Sequence, residues 1–215
     1  MKNNKYFPEA VAIGVSAGGL KALTKVFSNL PADFPIPIIV TQHLHPLEDS
    51  YLAELLSRIT LLPVKEARDK EKIKPGDIYV APPNYHLLIE RNETISLSSD
   101  EKVNHSRPSI DVMFESAAYA WGTGLIGIIL TGANSDGAYG IKIIKEFGGL
   151  TIAENPKTAK YPMMPKSAID TGTVDKILTL SEINEFLINL SRIDKNGYMN
   201  FVEDINGTQT EDIDR

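Results

Sequence analysis

Three short runs of the chain are apolar at nearly every position: Ala10–Val15 ("AVAIGV"), residues 36–41 ("IPIIVT") and residues 124–130 ("GLIGIIL"). A strand with one wet face alternates apolar and polar residues, so runs without that alternation belong to strands covered on both faces, as in a parallel sheet between helix layers. Between these runs the pattern changes to helical spacing. Leu20, Leu23, Val26, Phe27 and Leu30 follow the first run; Leu52, Leu55, Leu56 and Ile59 share one face of a helix over Tyr51–Ile59, entered through Asp49 or Ser50.

Later elements follow the same logic. Leu62–Glu66 and Ile78–Ala81 read as strands separated by a Pro75-Gly76-Asp77 turn, and Tyr85–Glu90 with Thr94–Ser98 flank "RNE" as a hairpin. Ser109 caps a predicted helix over Ile110–Trp121, and a helix over Ala138–Phe147 ends at Gly148-Gly149. Thr151–Ala153 and Val174–Leu178 read as strands, Pro165 starts a brief helix, and Ser181 caps a helix ending at Leu190. The expected fold is α/β: a three-layer, doubly wound, Rossmann-like architecture with a mainly parallel sheet and an antiparallel hairpin at one edge. Residues 1–191 are expected to form one domain, and the polar, acidic residues 192–215 a loose tail.

Composition narrows the function. A formal charge of −6 argues against a nucleic-acid partner, which would select a basic face. The absence of cysteine excludes disulfides, thiolate catalysis and cysteine-ligated metals. The N-terminus has no apolar core of signal-peptide length before the first strand, and no stretch approaches the ~20 apolar residues of a membrane span, so a cytoplasmic protein without membrane insertion is expected.

In open parallel sheets, reactive groups collect beyond the carboxyl ends of the strands. Ser16 follows the first apolar run, Gln42-His43 the second, and "TGANSDG" with Asp136 the third. Serine, imidazole and carboxylate are the members of a nucleophilic triad, which geometry rather than chain order defines. Gly14-Val15-Ser16-Ala17-Gly18 fits G-x-S-x-G, whose strained turn exposes a hydroxyl and aims helix N–H groups at a developing oxyanion. The competing reading is a dinucleotide turn, but Ser16 replaces its middle glycine and Gln42-His43 stands where an acidic residue would hold a ribose. A packing turn is the plain alternative for the glycines, and a turn or cap for Asp136 before Gly137.

His43 is the expected base; His45 is close enough to compete with it, while His86 and His105 read as solvent-facing or structural, and Asp111 and Asp170 as first-turn or surface residues. No spacing signals the further ligands that a metal on His43 and His45 would need, so neither metal nor other cofactor is expected.

"AIGVSAGGLKAL", "VTQHLHP", "DIYVAPPNYHLLI", "RPSIDVMFESAA", "GIILTGANSDGAYGIKIIKEFGG" and "TIAENPKTAKYPMMPKSAI" stand in one order over Ala10–Leu190. Together they resemble the catalytic domain of the chemotaxis protein-glutamate methylesterases (CheB-type). The resemblance implies Ser16 as nucleophile, His43 as general base and Asp136 as the residue orienting it, with Ala17 and Ala133 lining the oxyanion and substrate pocket. It implies hydrolysis of glutamate methyl esters on the cytoplasmic helices of chemoreceptors, releasing methanol, with deamidation of receptor glutamines as a related activity. The N-terminal receiver domain that family enzymes often carry has no counterpart here, so a stand-alone catalytic domain is expected, either unregulated in that way or controlled through a separate receiver or methyltransferase protein. Ala17 stands where many members have threonine, Ala133 and Asn134 replace the Met-Gly of "LTGMGxDG", and Met163 stands where glycine is usual. The alternative is a catalytically silent signalling or scaffold module of the same fold, binding a receptor or methyltransferase.

Overall fold

The computed structural model describes residues 8–43 and 51–191. The Asp49 and Ser50 cap, His45 and the tail at 192–215 lie outside the described residues.

Strands β1 (Ala10–Val15), β2 (Ile38–Gln42), β3 (Val64–Glu66), β4 (Ile78–Val80), β7 (Leu125–Ile129), β8 (Leu150–Glu154) and β9 (Lys176–Leu178) form a seven-stranded sheet in the order β3-β4-β2-β1-β7-β8-β9. Every pairing in it is parallel. The chain winds outward from β1 to β2 in one direction and later returns to place β7 on the other side. The order therefore reverses between β1 and β7, where open sheets of this kind leave a crevice.

The run "AVAIGV" shows why two layers fit. Val11, Ile13 and Val15 join the core against α1 (Gly19–Phe27), α2 (Leu52–Ser57) and α6 (Leu180–Leu190), whereas Ala10 and Ala12 face the core with α3 (Ile110–Trp121), α4 (Ala138–Glu146) and α5 (Met163–Asp170). Large side chains fill one side, and small ones on the other let α3 approach closely. At Gly14 that approach is so close that a Cβ would lie 2.3 Å from Ile110 Cγ2. On the opposite layer α1 buries Leu23, Val26 and Phe27, worth about 1.5–3 kcal/mol each.

The hairpin forms, as β5 (His86–Ile89) and β6 (Ile95–Ser98), but it is a separate two-stranded sheet rather than an added edge of the main one. Leu87, Ile89 and Ile95 are buried in the core that contains α3, so the hairpin gains more by covering that helix than by extending an edge. The last helix is capped two residues earlier than expected. Thr179, not Ser181, is its N-cap, because Glu182 reaches back to the Thr179 N–H while the Thr179 hydroxyl accepts from Glu182 N, closing a capping box.

Candidate active site

Three adjacent strands, β2, β1 and β7, release His43, Ser16 and the loop that carries Asp136 at the same end of the sheet. Backbone hydrogen bonds continue past the strands and fix these exits. His43 N donates to Val15 O at 3.2 Å, and Ser16 N donates to Thr131 O at 3.0 Å. The Thr131 hydroxyl donates to Ala17 O at 3.0 Å, tying the serine turn to the end of β7.

The side chains then meet. Ser16 Oγ lies 3.1 Å from His43 Nδ1, and His43 Nε2 lies 2.7 Å from Asp136 Oδ2. An ionised carboxylate can only accept, so Nε2 carries the ring proton and the Nδ1 lone pair faces the serine hydroxyl. Ser16 is partly exposed, His43 retains 13% side-chain exposure and Asp136 has none. The arrangement runs from solvent to core as hydroxyl, imidazole and carboxylate, all within hydrogen-bond reach.

Asp136 is held by more than the imidazole. Its Oδ2 also accepts from Ile110 N at 2.7 Å, and its Oδ1 accepts from Ser109 Oγ at 3.0 Å and from Asp111 N and Asn104 Nδ2 at 3.2 Å each. Two of these donors are the first N–H groups of α3, whose positive end favours an anion. Burial by itself would raise the Asp136 carboxyl, but the bonds from His43, Ile110 N and Asn104 and the charge of His43 hold it below its ordinary value.

His86 and Ser109 extend this network from behind. Ser109 N donates to His86 Nδ1 at 3.2 Å, and His86 Nε2 faces Glu101 O at 3.0 Å. Both residues are buried, and the Ser109 hydroxyl is spent on Asp136 rather than turned toward an imidazole. They brace the carboxylate from the core side, and of Ser109 and Ser16 it is Ser16 that is partly exposed. His105 is exposed, and so is Asp170 at the end of α5.

Asp111 departs from the surface role expected of it. It sits in the first turn of α3 but is buried, with Oδ1 accepting from Gly140 N and Oδ2 from Asn104 Nδ2, each at 2.7 Å. Burial first, then the nearby Asp136, push its carboxyl up to about 6. Asn104 bridges the two carboxylates from a left-handed backbone position, φ 50°, and nothing in the sequence singled it out. Buried Glu154, at the end of β8, was also missed; its Oε2 accepts from Thr131 N at 2.8 Å, and burial raises its carboxyl. For Glu154 the signal available was position, at the carboxyl end of the strand beside β7.

The helices that follow Ser16 and Asp136 in the chain, α1 and α4, begin without a side-chain cap. Gly18 before α1 and Gly137 before α4 have φ of 81° and 94°, values that favour glycine, so the chain can reverse sharply there. Ala17 is partly exposed and Ala133 exposed, and among the described residues neither N–H donates to a protein acceptor. Ala133 also borders an open groove of about 470 Å³ walled by Tyr161, Pro162, Met163 and Lys166. Among the described residues no cluster of three or more His, Asp or Glu could hold a metal.

Residues 11–187 match the family model described as CheB methylesterase. The chain belongs to the CheB methylesterase family. The match contains all three hydrogen-bonded side chains and the turn that presents Ser16. A Leptospira interrogans protein, provisionally named a protein-glutamate methylesterase/protein-glutamine glutaminase, is 50% identical over 184 residues, covering 86% of this chain and 95% of that protein. The Archaeoglobus fulgidus protein-glutamate methylesterase/protein-glutamine glutaminase is 41% identical over 189 residues, covering 86% of this chain but 54% of its own length. Among solved structures, the Thermotoga maritima CheB methylesterase catalytic domain superposes with a TM-score of 0.81 at 39% identity, covering 85% of this chain and 98% of that one.

Proposed function

We propose that this chain is a serine esterase that hydrolyses glutamate methyl esters on chemoreceptor helices and deamidates receptor glutamines. The observation that carries the reading is the partly exposed Ser16 hydroxyl 3.1 Å from an imidazole whose other nitrogen lies 2.7 Å from a buried carboxylate. His43 Nδ1 takes the Ser16 proton as Oγ attacks the ester carbonyl, and the oxyanion is held by the free N–H groups of Ala17 and Ala133. His43 returns the proton to the departing methoxide, releasing methanol; with a glutamine substrate, ammonia leaves instead. Water, deprotonated by the same nitrogen, opens the acyl-enzyme to the glutamate carboxylate and restores Ser16. Asp136 holds the ring in the Nε2–H form and stabilises the imidazolium.

The ester carbon carries no charge for a salt bridge to grip, so recognition falls to the protein surface around it. The substrate is taken to be the receptors' cytoplasmic helices, which makes the chain cytoplasmic, and a separate receiver or methyltransferase protein is the natural regulator. Among the described residues no helix is long and apolar enough to cross a membrane. Ser16→Ala tests the reading: methanol release from methylated receptor fragments should vanish while the thermal transition is kept. Release unaffected by that change would remove Ser16 from the mechanism. No release by the unaltered protein would favour the silent scaffold.

A further inference from the structure

Two donors face one lone pair. Besides Ser16 Oγ, the side-chain amide of Asn134 approaches His43 Nδ1, at 3.3 Å from Nδ2. The amide is not free to turn, because its Oδ1 accepts from Asp136 N at 3.2 Å, an Asx-type closure over two residues. That bond leaves Nδ2 as the atom aimed at the ring. The same loop residue thus grips the backbone of the orienting carboxylate and the ring of the base.

We propose that Asn134 is a positioning residue for His43, fixing the neutral ring by donating to Nδ1 and competing with the Ser16 hydroxyl for it. This rests on His43 acting as the base in the esterase reading. A donor on Nδ1 can bond only the neutral imidazole; once Nδ1 takes the serine proton, amide N–H and ring N–H oppose each other. Asn134 therefore bonds the ring only in its neutral form, and that bond is lost when the imidazolium forms. Glycine, usual at this position in the methylesterases that the sequence resembles, has no group to do this. Among the described residues the titratable group bonded to His43 is Asp136, with Asp111 behind it through Asn104; Asn134→Ala also takes the acceptor from Asp136 N, which Asn134→Asp retains.

The test is the titration of the His43 ring nitrogens by nitrogen-15 NMR in Ser16→Ala protein, which needs no catalysis, with and without Asn134→Ala. Removing the donor should raise the midpoint by about half to one pH unit. Asn134→Asp keeps the Oδ1 acceptor for Asp136 N and replaces the donor by a carboxylate, so its midpoint should lie higher still. In protein with Ser16 restored, the acid limb of kcat/KM should move in the same order, with KM little changed. Equal midpoints in all three would overturn the proposal. A shifted midpoint in a protein without esterase activity would instead sink the esterase reading and leave this relation between Asn134 and His43 standing.

Discussion

One oxygen of Asp136, Oδ2, accepts from both the Ile110 backbone N–H and the His43 ring, each at 2.7 Å. The carboxylate is therefore shared between the start of a helix and the imidazole beside Ser16.

Asp136→Asn preserves shape but removes one acceptor from a group that accepts five hydrogen bonds. Whichever way the amide turns, its NH₂ confronts donors. Turnover should fall on the order of 10³- to 10⁴-fold, as when the orienting acid of a triad loses its charge, and stability by about 1–3 kcal/mol. Steady-state kinetics and urea unfolding at pH 7 measure the two effects separately.

Asp111 gives stability a pH dependence of definite sign. Its folded carboxyl lies near 6, above its ordinary 3.8, so the folded state holds the proton more tightly. Both states are protonated well below 3.8; as pH rises through the window from about 4 to 6 the unfolded chain ionises first, and stability falls by about 2–3 kcal/mol. Asp136, held low, works oppositely: its contribution is present above its unfolded value and lost as pH drops through the lower folded one. Asp111→Asn should flatten the decline between pH 4 and 6.5. Its lost acceptor for Gly140 N or Asn104 costs the same at every pH, so the slope of urea midpoints, not their height, is diagnostic.

Gly14→Ala places a methyl 2.3 Å from Ile110 Cγ2 and 3.1 Å from Ile129 Cδ1. Overpacking of this kind costs about 1–3 kcal/mol. Because Ile110 N holds Asp136, relief of the clash also moves the carboxylate, so kcat should fall more than a remote change of equal destabilisation would cause. A matched cavity variant in α6, Leu187→Ala, supplies that comparison.

Thr131→Val removes a hydroxyl that donates to Ala17 O and accepts from Tyr161 N at 2.9 Å. The turn would lose its cross-tie to β7 without losing its glycines. Expected are about 1–3 kcal/mol less stability and a lower kcat with KM nearly constant.

The three strand-end residues were legible because the strands carrying them are buried on both faces, which leaves no ambiguity between strand and half-wet helix. The hairpin was legible as a pairing, but its partner layer was not: His86–Ile89 has apolar residues enough for a sheet edge or a helix face, and only the tertiary structure chooses α3. Ser181 and Thr179 are both acceptable caps, and the Glu182 side chain decides between them. Asp111 looked exposed because first-turn acids usually are; its burial follows from α4 crossing α3 closely enough for Gly140 N to reach it. Asn104 contributes from an irregular loop, where periodicity has nothing to say.

The site also has a timetable. Ser16 and His43 are 27 residues apart, but His43 and Asp136 are separated by 93, and β7 must be inserted beside β1 before the carboxylate arrives. A chain still short of that strand has β1 as an open apolar edge and an imidazole without its anchor. Such a chain can neither cleave esters nor remain safely unpaired, so the onset of hydrolysis during synthesis would mark the moment at which the centre of the sheet is closed.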